Sequence, residues 1–245
     1  MSGHSKWSTI KRQKGAADAK RGVTFGKLTN AIILAAKQGG GDASANFTLK
    51  MAIEKAKSEN MPKENIERAV KRGTGEIGGT IIEEALYEAI AVGGVGILIE
   101  AATDNKNRST AEIKNILNKA GAKMASSGAV AYQFSRVGKI LIGLDGKDKE
   151  EIELMVIDAG AEDFAEEDDS LAVFTKPQEL ESMKKALESQ GLVIKETNLS
   201  WEPKDLIKID NKESVEKIIS LVENLEQLDD VTNVYANFDI PEEMI

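Results

Sequence analysis

Along the first third of the chain, apolar residues recur every three or four positions. Phe25, Leu28, Ile32 and Ala35 fall on one helical face, and Gly39-Gly40-Gly41 stops that helix. Leu49, Ala52, Ile53 and Ala56 form a second such face. Pro62 opens a third helix, where its missing N–H costs nothing. Ile66, Ala69 and Val70 are its buried positions, and Gly73 closes it. Three short helices with short connections predict a small bundle.

From residue 80 the period changes. Leu86 to Ala91 and Gly96 to Ala102 read as strands, joined as a hairpin through Gly93-Gly94. A helix follows, with Ser109 and Glu112 as a Ser-x-x-Glu capping box and Ile113, Ile116 and Leu117 as its apolar face. Gly121 ends it, and Ala129 to Phe134 reads as a strand. Then come a strand at Lys139 to Leu144, a helix at Glu150 to Ala159, and strands at Asp163 to Ala165 and Leu171 to Thr175. A helix starting at Pro177 and a strand at Leu192 to Glu196 complete a β-α-β-β-α-β unit, the ferredoxin-like arrangement. The tail holds Leu206 to Ile209, a helix at Lys212 to Gln227, and a strand at Val231 to Phe238. It is too small to bury its own faces. Residues 80–135 lack what the tail holds, so the two are expected to form one α/β domain.

The predicted fold class is α+β. A three-helix bundle (1–79) precedes two ferredoxin-like α/β domains. One is discontinuous (80–135 plus 198–245), and the other (136–197) is inserted in it. Gly73-Thr74-Gly75-Glu76-Ile77-Gly78 matches Gly-x-Gly-x-x-Gly, but a helix precedes it and a strand comes after it. That is the wrong context for dinucleotide binding, so the segment reads as a flexible linker.

Composition narrows the chemistry. The chain has 245 residues, 41% hydrophobic and 30% charged, enough apolar content for packed cores. It has no cysteine and one histidine, His4. Disulfides, thiolate zinc sites and a cysteine nucleophile are therefore excluded, and no second histidine can complete a pair. The longest nearly apolar run, Ala89 to Ile99, is far short of the roughly 18 residues of a spanning helix. The basic N-terminus has no apolar core of the kind a secretory signal needs. The expectation is a soluble, cytoplasmic protein without a membrane partner.

The net charge of −9 is unevenly placed. The first 75 residues hold 15 Lys+Arg against 6 Asp+Glu, a balance of +9, whereas residues 76–245 hold 17 against 35, a balance of −18. A basic module most often meets phosphate, and an acidic body is repelled by it. The bland reading is that the halves merely attract each other. Within the module, Lys6, Lys11, Arg12, Lys14, Lys20 and Arg21 face a single acid, Asp18, over residues 1–22. Such cations neutralise phosphates, and Trp7 among them either stacks on an unpaired base or staples the arm to the bundle. A second candidate site is the turn containing Asp104, Asn105, Asn107 and Arg108, ahead of a helix start that could hold an anion. Asn and Asp also build such turns without any function. The acidic run Glu166-Glu167-Asp168-Asp169 lacks the spacing of a calcium loop and reads as a solvated hairpin. No nucleophile–base set can be named. An enzyme, a metal site, a cofactor and a small-molecule substrate are therefore not expected.

Several motifs resemble the YebC/PmpR family. They are Gly3-His4-Ser5-Lys6-Trp7, then Ile10, and Asp18-Ala19-Lys20-Arg21-Gly22. Asn60-Met61-Pro62-Lys63-Glu64-Asn65-Ile66-Glu67-Arg68-Ala69, Gly93-Gly94-Val95 and Thr103-Asp104-Asn105-Lys106-Asn107-Arg108 come next in order. Ser127-Gly128, Tyr132-Gln133-Phe134 and Leu228-Asp229-Asp230-Val231 match too. The resemblance covers essentially the whole chain. It implies a helical domain and two α/β domains, one interrupted by the other. It implies a cofactor-free regulator of gene expression, described for the family as a DNA-binding transcriptional regulator. Some members are described as translation factors that act on the ribosome and ease stalling at proline runs. Many members carry a His-Lys pair where this chain has Arg12-Gln13, and Lys where it has Val23, so this arm is less basic than that of a typical relative.

Three functions fit these readings. The first is a DNA-binding transcriptional regulator. The second is a ribosome-associated translation factor whose basic end contacts ribosomal RNA. The third is a protein-interaction or ligand-sensing module in which the arm is incidental. No helix carries a clear row of base-reading Arg, Asn and Gln, which disfavours sequence-specific reading of the major groove.

Overall fold

A computed structural model describes residues 21–240, apart from 145, 147 and 168. Three helices come first: α1 (Arg21–Gly39), α2 (Phe47–Ser58) and α3 (Lys63–Gly73). They are followed by β1 (Glu83–Ile90), β2 (Gly96–Thr103), α4 (Lys106–Lys119) and β3 (Lys123–Ala125). Next come β4 (Phe134–Gly143), α5 (Lys149–Asp158), β5 (Asp163–Glu167), β6 (Ser170–Thr175), α6 (Leu180–Ser189) and β7 (Ile194–Pro203). The chain ends its described course with β8 (Ile207–Lys208), α7 (Lys212–Glu226), β9 (Val231–Ala236) and β10 (Phe238–Asp239). By packing these make two compact units. Among the described residues one is Gln133–Leu206; the other joins residues 21–132 with residues 207–240.

In the Gln133–Leu206 unit the sheet order is β5-β6-β4-β7, antiparallel throughout. This is the ferredoxin-like order, with two helices connecting the strands. Gly138 of β4 leaves no room for a side chain, because a Cβ there would meet Leu180 of α6 at 2.8 Å. That close approach seats the helix on the sheet. The acidic hairpin differs from its expected solvated state. Glu167 is 3% exposed and pairs with Lys139 of β4 at 2.5 Å, while Glu166 pairs with Lys149. A buried carboxylate needs such a partner.

The other unit contains a second four-stranded sheet, of order β3-β1-β2-β9. It too is antiparallel throughout, but its two central strands, β1 and β2, are joined directly as a hairpin. Gly93 (φ 75°) and Gly94 (φ 81°) make that connection in the left-handed region, which side chains disfavour. The register runs from Glu83 opposite Thr103 to Ile90 opposite Gly96. The tail supplies α7 and the edge strand β9, which pairs with β2.

Three local expectations are corrected. The strand expected at 129–134 does not form, and only Phe134 of that stretch is extended, as the first residue of β4. A short 3-10 turn occupies Ala131–Gln133, and the strand beside β1 is Lys123–Ala125. The backbone N–H groups of Gly128, Val130 and Ala131 are taken by the carboxylate of Glu88, which removes them from any ladder. The α4 cap is Asn105, not Ser109: the Asn105 side chain accepts from Arg108 N at 3.1 Å. β4 also begins five residues earlier than expected, at Phe134.

The helices form a bundle as the 3.6-residue period predicts. Asn46 links two of them. It caps α2 by accepting from Leu49 N and donates to the carbonyls of Ala35 and Gly40. The bundle does not close on itself, however. Its core of Ile32, Ile33, Leu49 and Ile66 also contains Ile82 and Ala102 from the sheet region. Lys37 donates to Ile82 O, Asn30 to Ala102 O, and Lys27 to Glu226 O. Arg72 donates to Thr80 O at 2.9 Å. The segment that reads as a flexible linker is thus bracketed by fixed contacts, and the bundle is seated on its sheet.

Gly73 has a role beyond a helix stop. A Cβ at this position would lie 2.5 Å from the carbonyl oxygen of Ile33 and 2.7 Å from Ala36 Cβ. The glycine allows α3 to lie against α1. Gly73→Ala is therefore expected to cost about 1–3 kcal/mol by overpacking. Chemical denaturation of the two proteins checks this, and an unchanged midpoint would refute the close approach.

Candidate nucleic-acid interface

Of the arm residues singled out from sequence, Lys6, Trp7, Lys11, Arg12, Lys14 and Lys20 lie outside the described residues. Arg21 is the first residue of α1. Beyond Arg21, the described cations of the bundle fall into three groups. Lys27, Lys37 and Arg72 donate to backbone carbonyls and hold the bundle in place. Lys55 and Lys63 pair with Glu59 and Glu67 along their own helices. Lys50 and Lys57, seven residues apart on α2, are exposed, as are Arg68 and Lys71 on α3. These four carry no ion pair among the described residues. They are the bundle cations available to an external anion. Sequence reasoning counted them in the charge of the module but did not single them out, because pairing is not visible in a count.

The second candidate turn has a different construction. Thr103 ends β2, Asn105 caps α4, and Asp230 precedes β9. Arg108 Nη2 lies 3.0 and 2.8 Å from the two oxygens of Asp230 and 3.1 Å from Asp104 Oδ1. The Ser109 hydroxyl is 2.6 Å from Asp230 Oδ2, and the Thr103 hydroxyl is 2.9 Å from it. Thr103 Oγ1 accepts from Asn105 N at 2.9 Å. Thr103, Ser109 and Asp230 are all buried, whereas Asp104, Asn105, Asn107 and Arg108 are exposed. The turn brings Asp104, Asn105 and Arg108 together and leaves Asn107 apart. Its guanidinium already faces two carboxylates, so an incoming anion would meet their charge as well.

The electrostatics agree with that geometry. Burial opposes the charge on Asp230. Hydrogen bonds from Ser109, Arg108 and Thr103, with the charge of Arg108, outweigh burial and hold the carboxyl below its usual range. Among the described residues, no group of three or more His, Cys, Asp or Glu is arranged to hold a metal ion. No described helix is long and apolar enough to cross a membrane.

Asp230→Asn should destabilise the protein by about 3 kcal/mol, since charged hydrogen bonds are lost around a buried group. A lowered folded-state pKa contributes stability that is present above the unfolded value, about 3.9, and is lost as pH falls through the folded value. Urea titrations below pH 4 should show the parent losing this contribution and Asp230→Asn lacking it. Parallel pH profiles would contradict the assignment.

Comparison with known proteins places the chain among relatives along its full length. Residues 5–76 match the TACO1/YebC protein N-terminal domain, and residues 82–238 match the TACO1/YebC second and third domain. A protein of Halothermothrix orenii is 44% identical, covering 100% of this chain and 98% of the relative. One of Leptospira biflexa is 46% identical, covering 99% and 98%. Both are named "Probable transcriptional regulatory protein". The crystal structure of a conserved hypothetical protein from Aquifex aeolicus superimposes with a TM-score of 0.91 at 42% identity, covering 98% of this chain and 99% of that one. With both family models matched in order and relatives aligned end to end, the chain belongs to the TACO1/YebC family.

Proposed function

We propose that this protein is a nucleic-acid-binding regulator of gene expression. It acts in the cytoplasm as a DNA-binding transcriptional regulator, and its basic N-terminal module makes the contact. One observation carries the reading: +9 in the first 75 residues against −18 in the rest. Phosphate is attracted to the first part and repelled by the second. The exposed cations Lys50, Lys57, Arg68 and Lys71 add basic charge on α2 and α3. The names of the relatives, which describe transcriptional regulators, support the same reading. Lys6, Lys11, Arg12, Lys14, Lys20 and Arg21 are assigned to phosphate, with Trp7 beside them. The Asp104–Arg108 turn is assigned mainly to holding the fold, because its arginine is engaged by Asp230. The reading involves no catalysis, cofactor or small-molecule substrate.

Combined reversal by Lys11→Glu, Lys14→Glu and Arg21→Glu should abolish retention of a DNA fragment while leaving the thermal melt unchanged. Co-sedimentation with ribosomes is measured in parallel. Loss of sedimentation with DNA retention intact would move the target to ribosomal RNA. If neither changes, the arm is not the contact. DNA affinity should also fall steeply with salt, with a log–log slope of several units if several phosphates are neutralised. A flat titration would point to a protein partner.

A further inference from the structure

Glu88 is 4% exposed on β1, and its carboxylate accepts from three backbone N–H groups of one loop. The distances are 2.5 Å to Gly128, 2.5 Å to Val130 and 2.9 Å to Ala131. Burial opposes this charge, yet the three N–H groups together hold the carboxyl below its usual range. Gly128 adopts φ 84°, which lets the loop turn over the carboxylate. A buried charge thus fixes the backbone of residues 126–131.

That fixing determines what the loop presents outward. In a trans peptide the N–H and C=O point in opposite directions. With the Gly128 N–H aimed at Glu88, the Ser127 carbonyl points away from it. With the Val130 N–H aimed at Glu88, so does the Ala129 carbonyl. Among the described residues no backbone donor meets either carbonyl. Ser126, Ser127, Gly128 and Ala129 are all exposed and small, so a planar group can approach their backbone closely. Tyr132, at the end of the same loop, is 66% exposed. Lys123 lies opposite Ile90 in the ladder, and therefore on the face that carries Glu88. It is exposed and has no ion pair among the described residues.

We propose that the loop of residues 126–132 binds an unpaired nucleobase bearing an exocyclic amine, with Tyr132 as the stacking surface and the Ser127 and Ala129 carbonyls as acceptors. Lys123 supplies a cation for the adjoining phosphate. Every base has a face to stack on an aromatic ring, but adenine and cytosine offer an amine where uracil offers a carbonyl. Glu88 is buried and engaged by the loop N–H groups, so its carboxylate does not line the contact, and the exposed Lys123 offsets the acidity around it. The inference rests on the nucleic-acid reading above and adds a second contact to it.

The test uses the full chain with labelled single-stranded oligo(A), oligo(C) and oligo(U), read by fluorescence anisotropy. Oligo(A) and oligo(C) should bind more tightly than oligo(U). Tyr132→Ala should weaken oligo(C) binding about tenfold, whereas Tyr132→Phe should retain it. Glu88→Gln, which keeps one acceptor oxygen and places an amine where the other stood, should lose the preference over oligo(U). Because Glu88→Gln is a core change, Tyr132→Ala, at an exposed position, decides the matter independently of folding. Equal affinity for the three strands, or unchanged binding by Tyr132→Ala, overturns the proposal. If the arm reversal abolishes binding while Tyr132→Ala is silent, only this loop is excluded. If both are silent, the nucleic-acid reading itself falls.

Discussion

The carboxylate of Asp230 holds together parts of the chain that sequence keeps far apart. It meets Thr103, 127 residues away, Ser109 at 121 and Arg108 at 122. Its own carbonyl accepts from Ala102 N at 2.8 Å. All of Gln133–Leu206 lies between the two partners in sequence. The interaction is therefore where the discontinuous sheet closes, with β9 brought beside β2 and α7 carried along with it. The bundle depends on the same closure. Ala102 belongs to the bundle's core and offers its carbonyl to Asn30, and α7 offers the Glu226 carbonyl to Lys27. Long-range pairing of this kind has a large ordering cost, which a set of short charged hydrogen bonds helps to offset.

Buried acids recur as fasteners in this protein, and each is satisfied differently. Asp230 takes hydroxyls and a guanidinium, Glu88 takes backbone N–H groups, and Glu167 takes the ammonium of Lys139. In each case desolvation is balanced by partners fixed in place. Asp230 closes a sheet, Glu88 shapes a loop, and Glu167 ties a hairpin to a central strand. The negative balance of residues 76–245 is thus not purely a surface property, since some of it is scaffolding. The acids that remain on the surface still set which face tolerates phosphate.

Much of the fold was legible because local patterns dominate it. The three helices follow from apolar spacing at three and four. The β1–β2 hairpin follows from its glycine pair, and the ferredoxin-like unit from its order of elements. Three of the failures share a cause, which is a side chain recruited over a long distance. Ser109 with Glu112 satisfies the capping-box pattern, but the Ser109 hydroxyl is drawn to Asp230, and Asn105 caps the helix instead. Residues 129–133 suggest a strand, but Glu88 takes the N–H groups of Val130 and Ala131 that a strand needs. Glu167 looked solvated because its partner, Lys139, lies 28 residues away. The candidate site was legible as a charge imbalance. Which cations are engaged is a tertiary matter, visible only once Lys27, Lys37 and Arg72 are seen bonded to carbonyls.

Fixing the bundle to its sheet changes the meaning of the charge split. On a free linker, a basic module samples orientations independently of the domain it is tethered to. Here Gly73 packs against Ile33, Arg72 holds Thr80, and Ile82 enters the bundle's core. Within this unit the cations of the bundle and the acids of its sheet are held in place together, and such an uneven charge orients in the field of a polyanion before contact. The seated bundle therefore presents Lys50, Lys57, Arg68 and Lys71 in a fixed relation to the sheet that carries Glu88. A second contact on that sheet would be reached without a further search, because the first contact has already set its orientation.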